Sequence, residues 1–150
     1  MKSPYLELKK IFSQASISTD IEGILHWDMS TMMPDNSRSQ RADQLAFMAK
    51  IKHQILSDPK VNDLINEVDV DLLKDKDKIN FNEMKRDHFF TSALPGNLVE
   101  SISKVSATCE GIWQDARKQS DFSLVQKSLE ELLNLNKEES IILGEKLSCE

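Results

Sequence analysis

Apolar residues along this chain recur every three or four positions, and nowhere do they alternate with polar ones long enough to suggest a strand. Ser3-Pro4 has the form of an N-cap followed by proline at the first helical position. Tyr5, Leu8, Phe12 and Ala15 then carry a first helix to about residue 17. Asp20 is placed to cap a second helix with Ile21, Ile24 and Leu25 on one face, and Pro34 ends it by disfavouring the α conformation at Met33. A third helix starts near Ser37, with Ala42, Leu45, Ala46, Ala49 and Leu56 as its stripe and Met48 and Ile55 widening it. Asp58-Pro59 stops that helix and starts a short one bearing Val61, Leu64, Ile65 and Val68.

The stretch from Asp69 to Lys78 is dense in Asp and Lys and reads as a solvated turn or helix face. Ile79 to Thr91 reads as helix, with Phe81, Met84 and His88 on one side. The clearest stripe follows Pro95, where Leu98, Ile102, Val105, Cys109, Ile112 and Ala116 step by threes and fours. Gly111 within it is unfavourable by up to about 1 kcal/mol relative to alanine, which points to a close neighbour. Ser120-Asp121 separates a last helix carrying Phe122, Val125, Leu129, Leu132 and Leu133. The class is all-α: six to seven helices whose short connections favour a mostly antiparallel array. The pattern from Glu138 to Glu150 is still helical where the chain stops, with no cap or proline, as expected either of a piece of something larger or of a helix that frays at a natural terminus.

At 150 residues the chain is one domain by size, and 39% hydrophobic content is enough for a core. The net charge of −6 and the lack of a basic cluster argue against a nucleic-acid partner. No stretch approaches the length of a membrane span, and Met1 to Tyr5 leads into charged residues rather than a signal-peptide core, so a soluble cytoplasmic protein is expected. Cys109 and Cys149 form neither a disulfide framework nor a zinc knuckle and are expected to be reduced thiols.

Candidate chemistry is sparse. His26, His53 and His88 include no pair at i, i+4, so a helical zinc site is not encoded locally. His88 is expected as a half-buried helix residue beside Met84, and His53 near a helix C-terminal turn, where it suits the dipole. His26-Trp27-Asp28 is the densest cluster. Asp28 with Thr31 is a candidate hydrogen-bonding pair at a helix end, and Trp27 is expected to pack as a buried indole. Arg38, Arg41, Arg86 and Arg117 are candidates to face a peptide carboxylate, but a surface role is the better expectation for each. No nucleophile, acid and base set is apparent.

Leu25-His26-Trp27-Asp28-Met29-Ser30-Thr31-Met32-Met33-Pro34 resembles the Leu-x-Trp-Asp-x-x-Thr-x-Met-Pro signature of the carboxypeptidase Taq family of zinc metallocarboxypeptidases. Arg41-Ala42-Asp43-Gln44-Leu45 resembles the family's Arg-Ala-x-Gln-Leu helix, and His53 with Asp58-Pro59 follows in register. Leu94-Pro95-x-x-Leu98-Val99, Trp113-x-x-Ala116-Arg117, Asp121-Phe122 and Leu129-x-x-Leu132-Leu133 continue the similarity across the chain.

The resemblance implies that residues 1–150 are the N-terminal helical region of a larger all-α peptidase that releases C-terminal amino acids from peptides. In that family the zinc ligands and the general-base glutamate lie downstream. No catalytic or metal-ligating residue is therefore carried onto this chain, and the zinc belongs to the full-length protein. Trp27, Asp28, Thr31 and Pro34 are read as structural, shaping a helix-to-loop turn. The expected partners are a C-terminal catalytic half and a second copy of the chain. Apolar stripes meant for the catalytic region would face water without it, so the isolated chain is expected to self-associate or be marginally stable. The alternative to a piece of an enzyme is a non-enzymatic helical module for dimerisation or interaction, supported by the intact stripes of the last two helices.

Overall fold

The computed structural model describes residues 3–147, and six α-helices account for most of them. They are α1 (Pro4–Thr31), α2 (Arg38–Ser57), α3 (Pro59–Glu67), α4 (Asp75–Ala93), α5 (Gly96–Gln119) and α6 (Ser123–Leu147). Short 3-10 turns at Asp35–Ser37 and Val70–Leu72 precede α2 and α4. No strand occurs among the described residues. Cys149 lies outside them, and Cys109 is a buried free thiol.

The first two expected helices are one. α1 runs 28 residues without a break at residues 17–20. Ser18, Thr19 and Asp20 are types that favour caps, but the Ser18 and Thr19 hydroxyls donate backwards to the carbonyls of Gln14 and Ala15, each at 3.3 Å. Satisfied inside the helix, they open no new one. Helix α4 begins at Asp75, earlier than the stripe suggests. Asp75 and Asp77 in its first turn suit the positive end of the dipole, so part of the charged run is helix. Asp77 also accepts a 2.7 Å hydrogen bond from Tyr5 of α1, while Asn80 donates to the Tyr5 oxygen at 3.1 Å. Burial pushes the Tyr5 phenol above its ordinary value.

The other boundaries follow their local signals. Pro4 and Pro59 sit in the first turns of α1 and α3, and the Asp58 carboxylate caps α3 by accepting from the Lys60 amide at 2.8 Å. Asp121 accepts from the amide and hydroxyl of Ser123 where α6 begins.

Helices α1, α2, α5 and α6 pack consecutively, each on the next, while α3 and α4 lie against α1, α2 and α6. The interior is divided among three clusters. Tyr5, Leu8, Val61, Leu64, Phe81 and Met84 join α1, α3 and α4. Ala42, Leu45 and Ala107, with Leu25 and Met29, join α1, α2 and α5. Cys109, Ala116 and Val125, with Ile112, Leu129 and Leu132, join α5 and α6. The small residues Ala42, Ala46, Ala107 and Gly111 let α2 and α5 approach closely, which makes that pair the centre of the molecule.

Candidate functional site

The Trp27-to-Pro34 segment forms the corner between α1 and α2. At its centre Arg41 Nη2 donates to Asp28 Oδ2 at 2.6 Å, and Nη1 donates to the Leu25 carbonyl at 2.5 Å. Gln44 accepts from Arg41 Nε at 2.9 Å and holds the guanidinium in orientation. The Asp28 carbonyl accepts from the amides of both Met32 and Met33, which closes the end of α1. Thr31 does not pair with Asp28. Its hydroxyl donates to the Trp27 carbonyl one turn back, at 2.6 Å. Pro34 supplies extended backbone between the end of α1 and the 3-10 turn. Trp27 is not buried; 61% of its surface is exposed. Its indole points away from the three clusters because Leu25 and Met29 occupy the inward face of that turn.

A second arginine fastens α2 to α5. Arg38 makes a two-pronged contact with Asp115: Nη1 pairs with Oδ2, and Nη2 reaches Oδ1 at 3.1 Å. Nη2 also donates to Asp35 at 2.8 Å. The guanidinium beside it holds the Asp115 carboxyl below its ordinary value. Arg86 pairs with Glu83 on its own helix, and Arg117 lies over the Trp113 ring. All four arginines thus have partners within the chain.

Two histidines fasten the ends of α2 and α4 to each other. His53 Nε2 donates to the Leu94 carbonyl at 2.8 Å, and the Ser57 hydroxyl lies 3.4 Å from Nδ1. His88 Nδ1 donates to the Leu56 carbonyl at 2.7 Å. A carbonyl only accepts, so each contact fixes which ring nitrogen carries the proton. The half-buried His88 therefore reaches across to another helix, which its spacing from Met84 does not reveal.

His53 and His26 also line a cavity of about 380 Å³ bounded by α1, α2, α5 and α6 and by the α4–α5 junction. Its apolar part comes from Ala49, Leu94, Val99 and Ile102; Glu22, Lys52 and Glu139 add charge. Among the described residues no three His, Cys, Asp or Glu side chains converge in a way that could hold a metal ion. No set of described residues therefore fits a catalytic metal centre.

The family model for carboxypeptidase Taq (M32) metallopeptidases matches residues 7–149. The chain belongs to this family. Thermostable carboxypeptidase 1 of Thermus thermophilus is 24% identical over 147 residues, covering 95% of this chain but 29% of that protein. Carboxypeptidase 1 of Bacillus subtilis is 23% identical, covering 87% of this chain and 26% of that protein. Among solved structures, the crystal structure of BsuCP superposes with a TM-score of 0.90 over 94% of this chain and 29% of its own, at 22% identity. Metallocarboxypeptidase 1 of Trypanosoma cruzi gives a TM-score of 0.71 at 27% identity, over 94% of this chain and 28% of its own. The M32 fold is therefore established for these helices, and the chain spans under a third of the length of the relatives it matches. No described helix is long and apolar enough to cross a membrane.

Trp27, Asp28, Thr31 and Pro34 read as a turn from the sequence, but the residue that ties the turn down does not stand out there. Arg41 lies in another M32-like motif, 13 residues beyond Asp28. Co-occurrence of the two motifs was the available signal.

Proposed function

We propose that this chain is the N-terminal helical region of a zinc-dependent metallocarboxypeptidase of the cytoplasm, and that residues 1–150 act as one structural unit within it. The unit supports the peptidase rather than performing its chemistry. Hydrolysis at a peptide C-terminus requires a held metal with an open coordination position and a base for the water. On this reading both come from a metal-bearing region outside the chain, and the chain alone is inactive. When bound there, zinc supplies the Lewis acidity and the activated water. Trp27, Asp28, Thr31 and Pro34 set the angle between α1 and α2, with Arg41 as the clamp, so that a larger fold is met at a defined orientation.

The observation that carries this reading is the end-to-end match of the chain to a family whose members are more than three times its length. The test is complementation. The full chain is mixed with the part of Bacillus subtilis carboxypeptidase 1 that lies outside its matched residues, with zinc, and assayed on a peptide with a free C-terminus. Release of C-terminal amino acids above the rate of that part alone is expected. No gain, with both pieces folded, overturns the supporting role.

A further inference from the structure

We propose that the groove between α5 and α6 seats an apolar-faced helix from the metal-bearing region of the same peptidase fold. The inference rests on the proposed function above and assigns the docking face that it requires. The groove has a volume of about 490 Å³. Cys109 and Val125 are buried within it, Leu129 and Leu132 are partly covered, and the aromatic rings of Trp113 and Phe122 border it. Trp113 is 46% exposed and Phe122 64%.

Single exposed apolar residues are ordinary on any protein surface. Two aromatic side chains bordering one concavity are not, and aromatic anchors around an apolar pocket are the usual centre of an interface. Layering gives the same answer. A helical core is closed when each apolar face meets another element. Helix α5 is covered by α2 on one side and by α6 on another, and α4 reaches α6. Trp113 and Phe122 stay open to solvent despite these neighbours. A groove between two helices accepts a third through side chains spaced i, i+3 or i+4, and i+7.

The occupant follows from the comparisons. The same arrangement of helices makes up 29% of the BsuCP chain, so in that protein more than two-thirds of the polypeptide lies outside it. Charge disfavours a second copy of this chain. Each copy carries −6, which works against bringing two copies together, and Glu110 on the groove has no ion-pair partner among the described residues. A helix with Lys or Arg flanking its apolar stripe suits the site.

The test measures association rather than activity, so it separates from the complementation assay. The full chain is titrated with the same part of Bacillus subtilis carboxypeptidase 1 and followed by sedimentation. In a Trp27→Phe background, emission from Trp113 is expected to shift to the blue on binding. Phe122→Glu and Trp113→Glu are expected to weaken association at least roughly tenfold. Phe122→Leu is expected to retain it, and Leu72→Glu on a distant exposed turn to leave it unchanged. Association with no blue shift, or undiminished by Phe122→Glu, overturns the groove while leaving the supporting role intact. No association, together with a dimer of the chain that Phe122→Glu dissociates, overturns the proposed occupant in favour of a second copy.

Discussion

Gly111 of α5 lies under the side-chain stem of Arg38 of α2: a β-carbon at residue 111 would stand 3.1 Å from Arg38 Cδ. The stem cannot swing freely aside, because its guanidinium is held by Asp115 and Asp35. Alanine at 111 gains up to about 1 kcal/mol of helix propensity. It also pushes a tethered side chain, and the two effects oppose each other. Gly111→Ala is therefore expected to be near neutral in the wild type and stabilising by about 1 kcal/mol in an Arg38→Ala background. Urea unfolding of the four proteins in the cycle checks this. Equal effects of Gly111→Ala in both backgrounds would refute the steric coupling.

The same arginine predicts a pH dependence. Arg38 lowers the folded-state pKa of Asp115, so the pair's contribution is fully present above the ordinary carboxylate pKa, about 3.9. It is lost as pH falls through the lower folded-state value. Wild type should exceed Asp115→Asn in stability by a constant margin from neutral pH down to about 5, and the margin should shrink below about 4. Melting temperatures across that range measure it, and a margin that grows on acidification contradicts the assignment.

The α1–α2 corner depends on a residue that is mostly covered. The Arg41 side chain is 12% exposed, and removing it takes from the Asp28 carboxylate its ion-pair partner and from the Leu25 carbonyl the donor that joins it to α2. Arg41→Ala is expected to destabilise by about 2 kcal/mol. Arg41→Lys should recover little, since an ammonium cannot serve Asp28, Leu25 and Gln44 together. Chemical denaturation is the measurement; full rescue by lysine would show that charge alone matters there.

The histidine pair makes a further prediction. His53 donates to the carbonyl of Leu94, just past the end of α4, and His88 to that of Leu56 in the last turn of α2, and the His53 ring packs on Gly96, where a β-carbon would come within 3.3 Å. His53→Ala and His88→Ala are each expected to cost about 1–2 kcal/mol, and together less than their sum, because they fasten one joint. Strict additivity in denaturation experiments would argue against a shared joint.

Much of the fold was legible because helical periodicity is a local property. The stripes around Leu45, Val61, Phe81 and Cys109 are the ones that become buried. The failures have physical causes. Ser18 and Thr19 look like cap residues but can bond backwards within a helix, so residue type alone does not place a break. The size of its indole alone places Trp27 inside; which way its turn faces depends on Leu25 and Met29 meeting α2 and α5. Asp28–Arg41, Arg38–Asp115 and the two histidine contacts join different helices, and periodicity carries no information about such pairs. Gly111 was the exception, since an unfavourable residue in a strong helix pattern points to a close neighbour even when that neighbour is unknown.

The turn that positions α6 carries the one positive-φ non-glycine residue described. Ser120 has φ 54° and ψ 34°, and the amides of Ser120 and Asp121 donate back to the carbonyls of Arg117 and Ala116. That pattern favours glycine, because a side chain in the left-handed region costs about 1–2 kcal/mol. Glycine also gives the unfolded chain more freedom, which offsets part of the gain. Ser120→Gly is expected to stabilise by a net of about 0.5 kcal/mol. Ser120→Pro should be strongly destabilising, because proline cannot adopt this φ and lacks the amide that bonds Arg117. Thermal melts compare the three proteins, and a destabilising Ser120→Gly would mean that the serine side chain has a role its backbone geometry does not reveal.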